Sequence, residues 1–141
     1  MSVIGYMRRS RNCKQIDLEK LSLKFKHADY VIDCGDLIVV VEETSRCKLD
    51  DLNKIDETIE QLYAHRKPRD NLGFVGIIHC SRRVDPQLVK ILSTRMQSSR
   101  RRKRRVTYKT ANCEDRLRHI LSDYHIHVTS SSTIRTSLSF H

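Results

Sequence analysis

The chain has no tryptophan, only two prolines and four glycines, and just 6% aromatic residues over 141 positions. So little Gly and Pro, beside 38% hydrophobic residues, excludes collagen-like sequence and wholesale disorder. The scarcity of aromatics leaves no aromatic strand of the kind that stacks single-stranded bases. No apolar run approaches the ~20 residues of a membrane helix. The opening MSVIGYMRRSRNCK is too poor in apolar residues for a secretory leader, and a cytoplasmic protein with no membrane association is expected. The five cysteines (Cys13, Cys34, Cys47, Cys80, Cys113) lack any CxxC spacing and are odd in number, which argues against a zinc ribbon or a secreted disulfide frame. Buried free thiols are the expectation, with one bridge left open as the alternative. Acidic residues are outnumbered 17 to 27 by Lys and Arg.

The resulting net charge of +10 calls for an anionic partner, nucleic acid ahead of a membrane surface. More than half of it lies in one run, Arg100, Arg101, Arg102, Lys103, Arg104 and Arg105. Such runs repel themselves and are solvated loops or arms. Guanidinium forks match phosphate oxygens, so this run, in a basic loop at 98–105, is expected to grip a nucleic-acid backbone without reading its sequence. Arg8, Arg9, Arg11 and Lys14 form a looser second cluster.

Periodicity gives the order of elements. Leu18, Leu21 and Phe25 have helical spacing over 15–26. Two β-rich runs over 29–44 flank Cys34-Gly35, a hairpin signal, and Val39-Val40-Val41 reads as a strand covered on both faces. A helix over 49–65 carries Leu49, Leu52, Ile55, Ile59 and Leu62, with Asp50 and Asp51 suited to its first turn. A loop (66–71) precedes a buried strand at 72–80. Asp85 caps a further helix whose first residue is Pro86. A strand at 106–108 follows, then a helix capped by Asn112 and bearing Leu117, Ile120, Leu121 and Tyr124. Residues 125–129, with His125 and His127, read as an edge strand, and the Ser/Thr-rich 130–141 as a flexible tail. This is a single α/β domain over 1–129 with a central mixed sheet flanked by helices on both faces.

The hairpin carries the chemistry. With a two-residue turn at Cys34-Gly35, Asp33 faces Asp36 and Asp29 faces Val40. Asp29 then shares a face with Glu42 and Thr44, and Glu42 is its diagonal neighbour, within reach of one shared cation. Two carboxylates at a buried sheet end are costly to desolvate unless something positive joins them, and Mg²⁺ takes one or two carboxylates with waters and phosphate oxygens. Glu43 points to the other face.

This segment resembles the PD-(D/E)xK nuclease superfamily, most closely the archaeal Holliday-junction resolvases, over about residues 15–80. In that group an Asp after Pro begins a hairpin and an apolar strand ends in Glu-x-Lys-Ser-Arg. Asp29 and Glu42 match the two acids, with twelve residues between them, and Ser45-Arg46 matches the end of the motif. Ala28 stands in place of the Pro, and Thr44 in place of the Lys. The resemblance implies a restriction-endonuclease-like core, a symmetric homodimer, and Mg²⁺ or Mn²⁺ held by Asp29 and Glu42 with Glu19 as a third ligand. It implies metal-dependent hydrolysis of DNA, rather than RNA, at branched sites, with Arg46 and the 100–105 run on the backbone. A threonine hydroxyl cannot supply the charge of the missing lysine. Lys48 is the first candidate to replace it, with Lys54 on the next helix as the other. Without a replacement, the same fold would bind nucleic acid and not cut it.

Overall fold

A computed structural model describes residues 12–65, 72–99 and 105–127. Five strands form one sheet in chain order: β1 Lys14–Asp17, β2 Tyr30–Asp33, β3 Leu37–Cys47, β4 Gly73–Val84 and β5 Arg105–Ala111. The first three pair antiparallel; β3, β4 and β5 pair parallel. Helices α1 (Leu49–His65) and α2 (Pro86–Ser99) make the two parallel crossovers, and α3 (Glu114–Asp123) follows β5. The protein is therefore α/β, with a mixed five-stranded sheet flanked by helices.

The topology fixes which face each helix covers. Two successive crossovers moving the same way across a sheet, each right-handed, place their helices on one face. Leu52, Ile55 and Ile59 of α1 and Leu88 of α2 accordingly pack with Ile38, Val40 and Phe74. Leu117, Ile120 and Leu121 of α3 pack with Val39, Val41 and Ile77 on the other face. With both faces covered, Ile38 to Val41 are at most 1% exposed, as their unbroken hydrophobicity requires. Gly76 lets α1 lie close to the sheet, because a Cβ there would sit 2.7 Å from Ile55 Cγ2. Asp85 caps α2 as expected, accepting from Gln87 N at 3.1 Å with Pro86 next.

Several expectations are corrected. Residues 15–26 are not a helix: they form β1 and a single 3-10 turn, Leu18–Leu21, ended by Ser22 at φ 52. Ile16 and Leu18 bury at alternate positions, so pairing with β2 overrides the three-four spacing. The hairpin turn is longer than two residues, since Asp33 pairs with Ile38 and Tyr30 with Val41. α3 is capped by Cys113, whose sulfur accepts from Arg116 N, rather than by Asn112. Residues 125–127 are not a strand: His125 turns the chain at φ 64 and His127 is exposed. Residues 128–129, the tail, Arg8, Arg9, Arg11 and Arg100 to Arg104 lie outside the described residues.

The thiols are also not free. Cys13 is bonded to Cys34 and Cys47 to Cys80, leaving Cys113 exposed and unbonded. The partners are 21 and 33 residues apart, and only strand alignment brings them together. No helix among the described residues is long and apolar enough to cross a membrane.

Candidate active site

The hairpin turn differs from the expected one by two residues of register. An odd slip would move every side chain to the opposite face, whereas an even one preserves the faces. Val31 and Val40 thus still lie with α1, and Tyr30 and Val41 with α3. By the same alternation Asp29 and Glu42 lie on the α1 face. They are closer than a two-residue turn would put them: Asp29 N donates to Val41 O at 3.1 Å, and an Asp29 carboxylate oxygen accepts from Glu43 N at 2.7 Å.

Glu42 is 3% exposed. Lys54, one turn into α1, donates from Nζ to Glu42 Oε2 at 3.2 Å. The other oxygen, Oε1, is buried with no hydrogen-bond partner. Burial first, and then the negative charge of Asp29, push the Glu42 carboxyl up from 4.5 to about 7, against the pull of Lys54. Burial alone would lower the Lys54 ammonium, but its hydrogen bond to Glu42 and the charges of Glu42, Asp51 and Asp50 outweigh this and raise it.

Two buried groups fix the frame. Asp51, 3% exposed, accepts from Lys48 N at 2.9 Å and so closes the first turn of α1. Thr58, 1% exposed, accepts from Ala28 N at 2.9 Å and donates to Lys54 O at 2.7 Å. The residue before Asp29 is thereby tied to the helix turn that presents Lys54.

Of the residues expected at a site, the fold brings Asp29 and Glu42 together and adds Lys54. Lys48 is exposed at the start of α1, with its backbone engaged by Asp51. Thr44 is half-buried in register with Cys80, its hydroxyl 3.4 Å from Arg46 O. Glu19 is exposed on the 3-10 turn. Among the described residues no group of three or more His, Cys, Asp and Glu side chains is placed to hold a metal. Arg46 is exposed near the end of β3, in register with Arg83 of β4, and Arg105 is exposed at the start of β5. Asp51 reads in the sequence only as a first-turn acid of its helix, and neither Thr58 nor Arg83 carries a signal of its own there. Asp51 and Thr58 had only a helical position to recommend them, and Arg83 needed the strand pairing.

A carboxylate buried beside a second carboxylate, with one oxygen unsatisfied, is a group that could hold a cation. Buried polar atoms are otherwise nearly always paired. The donors are hard oxygens, two carboxylates in number, which fits Mg²⁺ or Mn²⁺ completed by water and phosphate. The adjacent ammonium fits an anionic ligand on that cation. Comparison with protein-family models, with curated proteins and with solved structures returns no match.

Proposed function

We propose that this protein is a metal-dependent endonuclease that hydrolyses DNA phosphodiester bonds on a PD-(D/E)xK, restriction-endonuclease-like core. The observation that carries the reading is the orphaned Oε1 of buried Glu42, whose carboxyl feels the charge of Asp29 and accepts from Lys54 through its other oxygen. Asp29 and Glu42 would hold Mg²⁺ or Mn²⁺ as two carboxylate ligands. The bound cation supplies charge against the scissile phosphate and acidifies a water.

The protein's own groups do the rest. Lys54 takes the place of the lysine that Thr44 does not provide. Its ammonium, already held toward Glu42, would neutralise charge developing on the phosphate oxygens. Thr58 and Asp51 hold α1 so that the ammonium stays in reach. A homodimer would present two such sites, one for each of two strands of a branched junction. Arg46 and the 100–105 run would hold the flanking backbone.

A second reading rests on the same ion pair. If Lys54 is the permanent counter-ion of Glu42, no metal is needed and the protein binds nucleic acid without cutting it. The discriminating experiment is incubation of junction and duplex DNA with the protein in Mg²⁺, Mn²⁺ or EDTA. Divalent-dependent cleavage that vanishes in Asp29→Asn and Glu42→Gln is expected. Salt-sensitive binding with no cleavage in either metal selects the second reading.

A further inference from the structure

Beyond Glu43 the sheet narrows to two strands. The pairing of β2 with β3 ends at Val41, and that of β5 with β4 ends at His79. β3 and β4 run on together, through a break in register between Thr44 and Arg46, to Cys47 beside Val84. This ribbon is fastened by the Cys47–Cys80 bond and by Asp85 N donating to Cys47 O at 3.0 Å.

The ribbon is cationic. Arg46 and Arg83 are register partners, Arg82 precedes the pair and Lys48 follows it, and all four are exposed. Its acids are engaged elsewhere: Asp85 caps α2, and Glu43 lies 3.4 Å from His79 Nδ1. Like charges directly opposite on neighbouring strands destabilise a sheet. Here they stand on the fastened segment beyond Glu42 and face away from α1, since Cys47 and Val84 beside them pack on the α1 side.

We propose that the end of β3 and β4 is a phosphate-binding ribbon, in which Arg46 and Arg83, on the sheet face away from α1, grip the nucleic-acid backbone. The inference rests on the reading of the partner as nucleic acid, but not on cleavage. Guanidinium pairs are suited to phosphate oxygens, and an anion seated between the two arginines removes their mutual repulsion.

The test is anisotropy of a short fluorescein-labelled DNA duplex, titrated with protein in EDTA at several salt concentrations. Losing two phosphate contacts should flatten the log–log salt slope by about 2 and weaken binding roughly 60-fold at about 0.1 M salt. This is the result expected for Arg46→Ala/Arg83→Ala. Lys14→Ala, exposed at the far edge of the sheet, should leave both unchanged. Arg46→Glu should weaken binding further and raise the Tm, because it turns a repulsive pair into an attractive one. A merely structural arginine would lower the Tm instead. A double variant that binds like wild type overturns the ribbon and leaves Asp29 and Glu42 untouched. Loss of binding equal in Lys14→Ala also overturns it, since net charge alone is then responsible. Wild-type protein that retains no duplex at low salt overturns both the ribbon and the nuclease reading. Cleavage that survives Asp29→Asn overturns the latter alone.

Discussion

Glu42→Gln should make the protein more stable while destroying the site. The carboxyl of Glu42 is raised from 4.5 to about 7, chiefly by burial. A group whose pKa is higher folded than unfolded favours the fold only while protonated. The unfolded chain loses this proton as pH rises through about 4.5, and the folded chain holds it until about 7. Stability is therefore lost across that window and stays low above it. At about 1.4 kcal/mol per pKa unit, ionised Glu42 costs the fold on the order of 3 kcal/mol at pH 8 and about 1 kcal/mol at pH 5. Glutamine keeps an acceptor for Lys54 and carries no charge toward Asp29. Urea unfolding in EDTA should show the variant more stable than wild type by about 3 kcal/mol at pH 8, with the gap closing toward pH 5. Mg²⁺ should restore part of the wild-type deficit and leave the variant unmoved, because a ligand stabilises only the state that binds it. A variant no more stable than wild type at pH 8 would show that the carboxyl is not held against its solvation, and the cation argument would go with it.

Three other outcomes follow from the same geometry. Lys54→Met should lower kcat for DNA cleavage by roughly 100- to 1,000-fold with little change in DNA affinity, as loss of a preorganised charge does, whereas Lys48→Ala should leave single-turnover rates within error. Thr58→Val leaves the Ala28 N–H buried without a partner, which costs about 1–3 kcal/mol; Thr58→Ser should recover both the stability in urea and the Mn²⁺ affinity. Thiol titration of native protein should find one reactive group per chain, Cys113, and reduction should lower stability by about 3 kcal/mol for each bridge opened, measured by unfolding with and without dithiothreitol.

How much of this could be read from the chain varies by element. Val39 to Val41 announced a central strand because three successive β-branched residues cannot alternate faces with water. Asp85-Pro86 announced a helix start because one side chain caps and the next residue has no N–H to lose. The face shared by Asp29 and Glu42 was legible despite the wrong turn, since parity survives an even shift. The 15–26 segment misled because Leu18, Leu21 and Phe25 mimic a helical stripe, while its fate was decided by the unpaired edge of β2. Lys54 is twelve residues from Glu42, and only the crossover direction of α1 shows that it turns back onto that strand. The cysteine pairs and the Arg46–Arg83 pair depend on register between distant strands, which no local pattern encodes.

Thr58 has a mechanical consequence. Its single hydroxyl holds the chain before Asp29 and the backbone of Lys54 at once. If α1 slides or tilts when a long, stiff polymer presses on this face, the segment leading to the acid is carried along with the ammonium. The two charges move as one part, and their separation stays insulated from a deformation of the surrounding scaffold. The tolerance of the site is then set by one buried oxygen rather than by the stiffness of the whole helix.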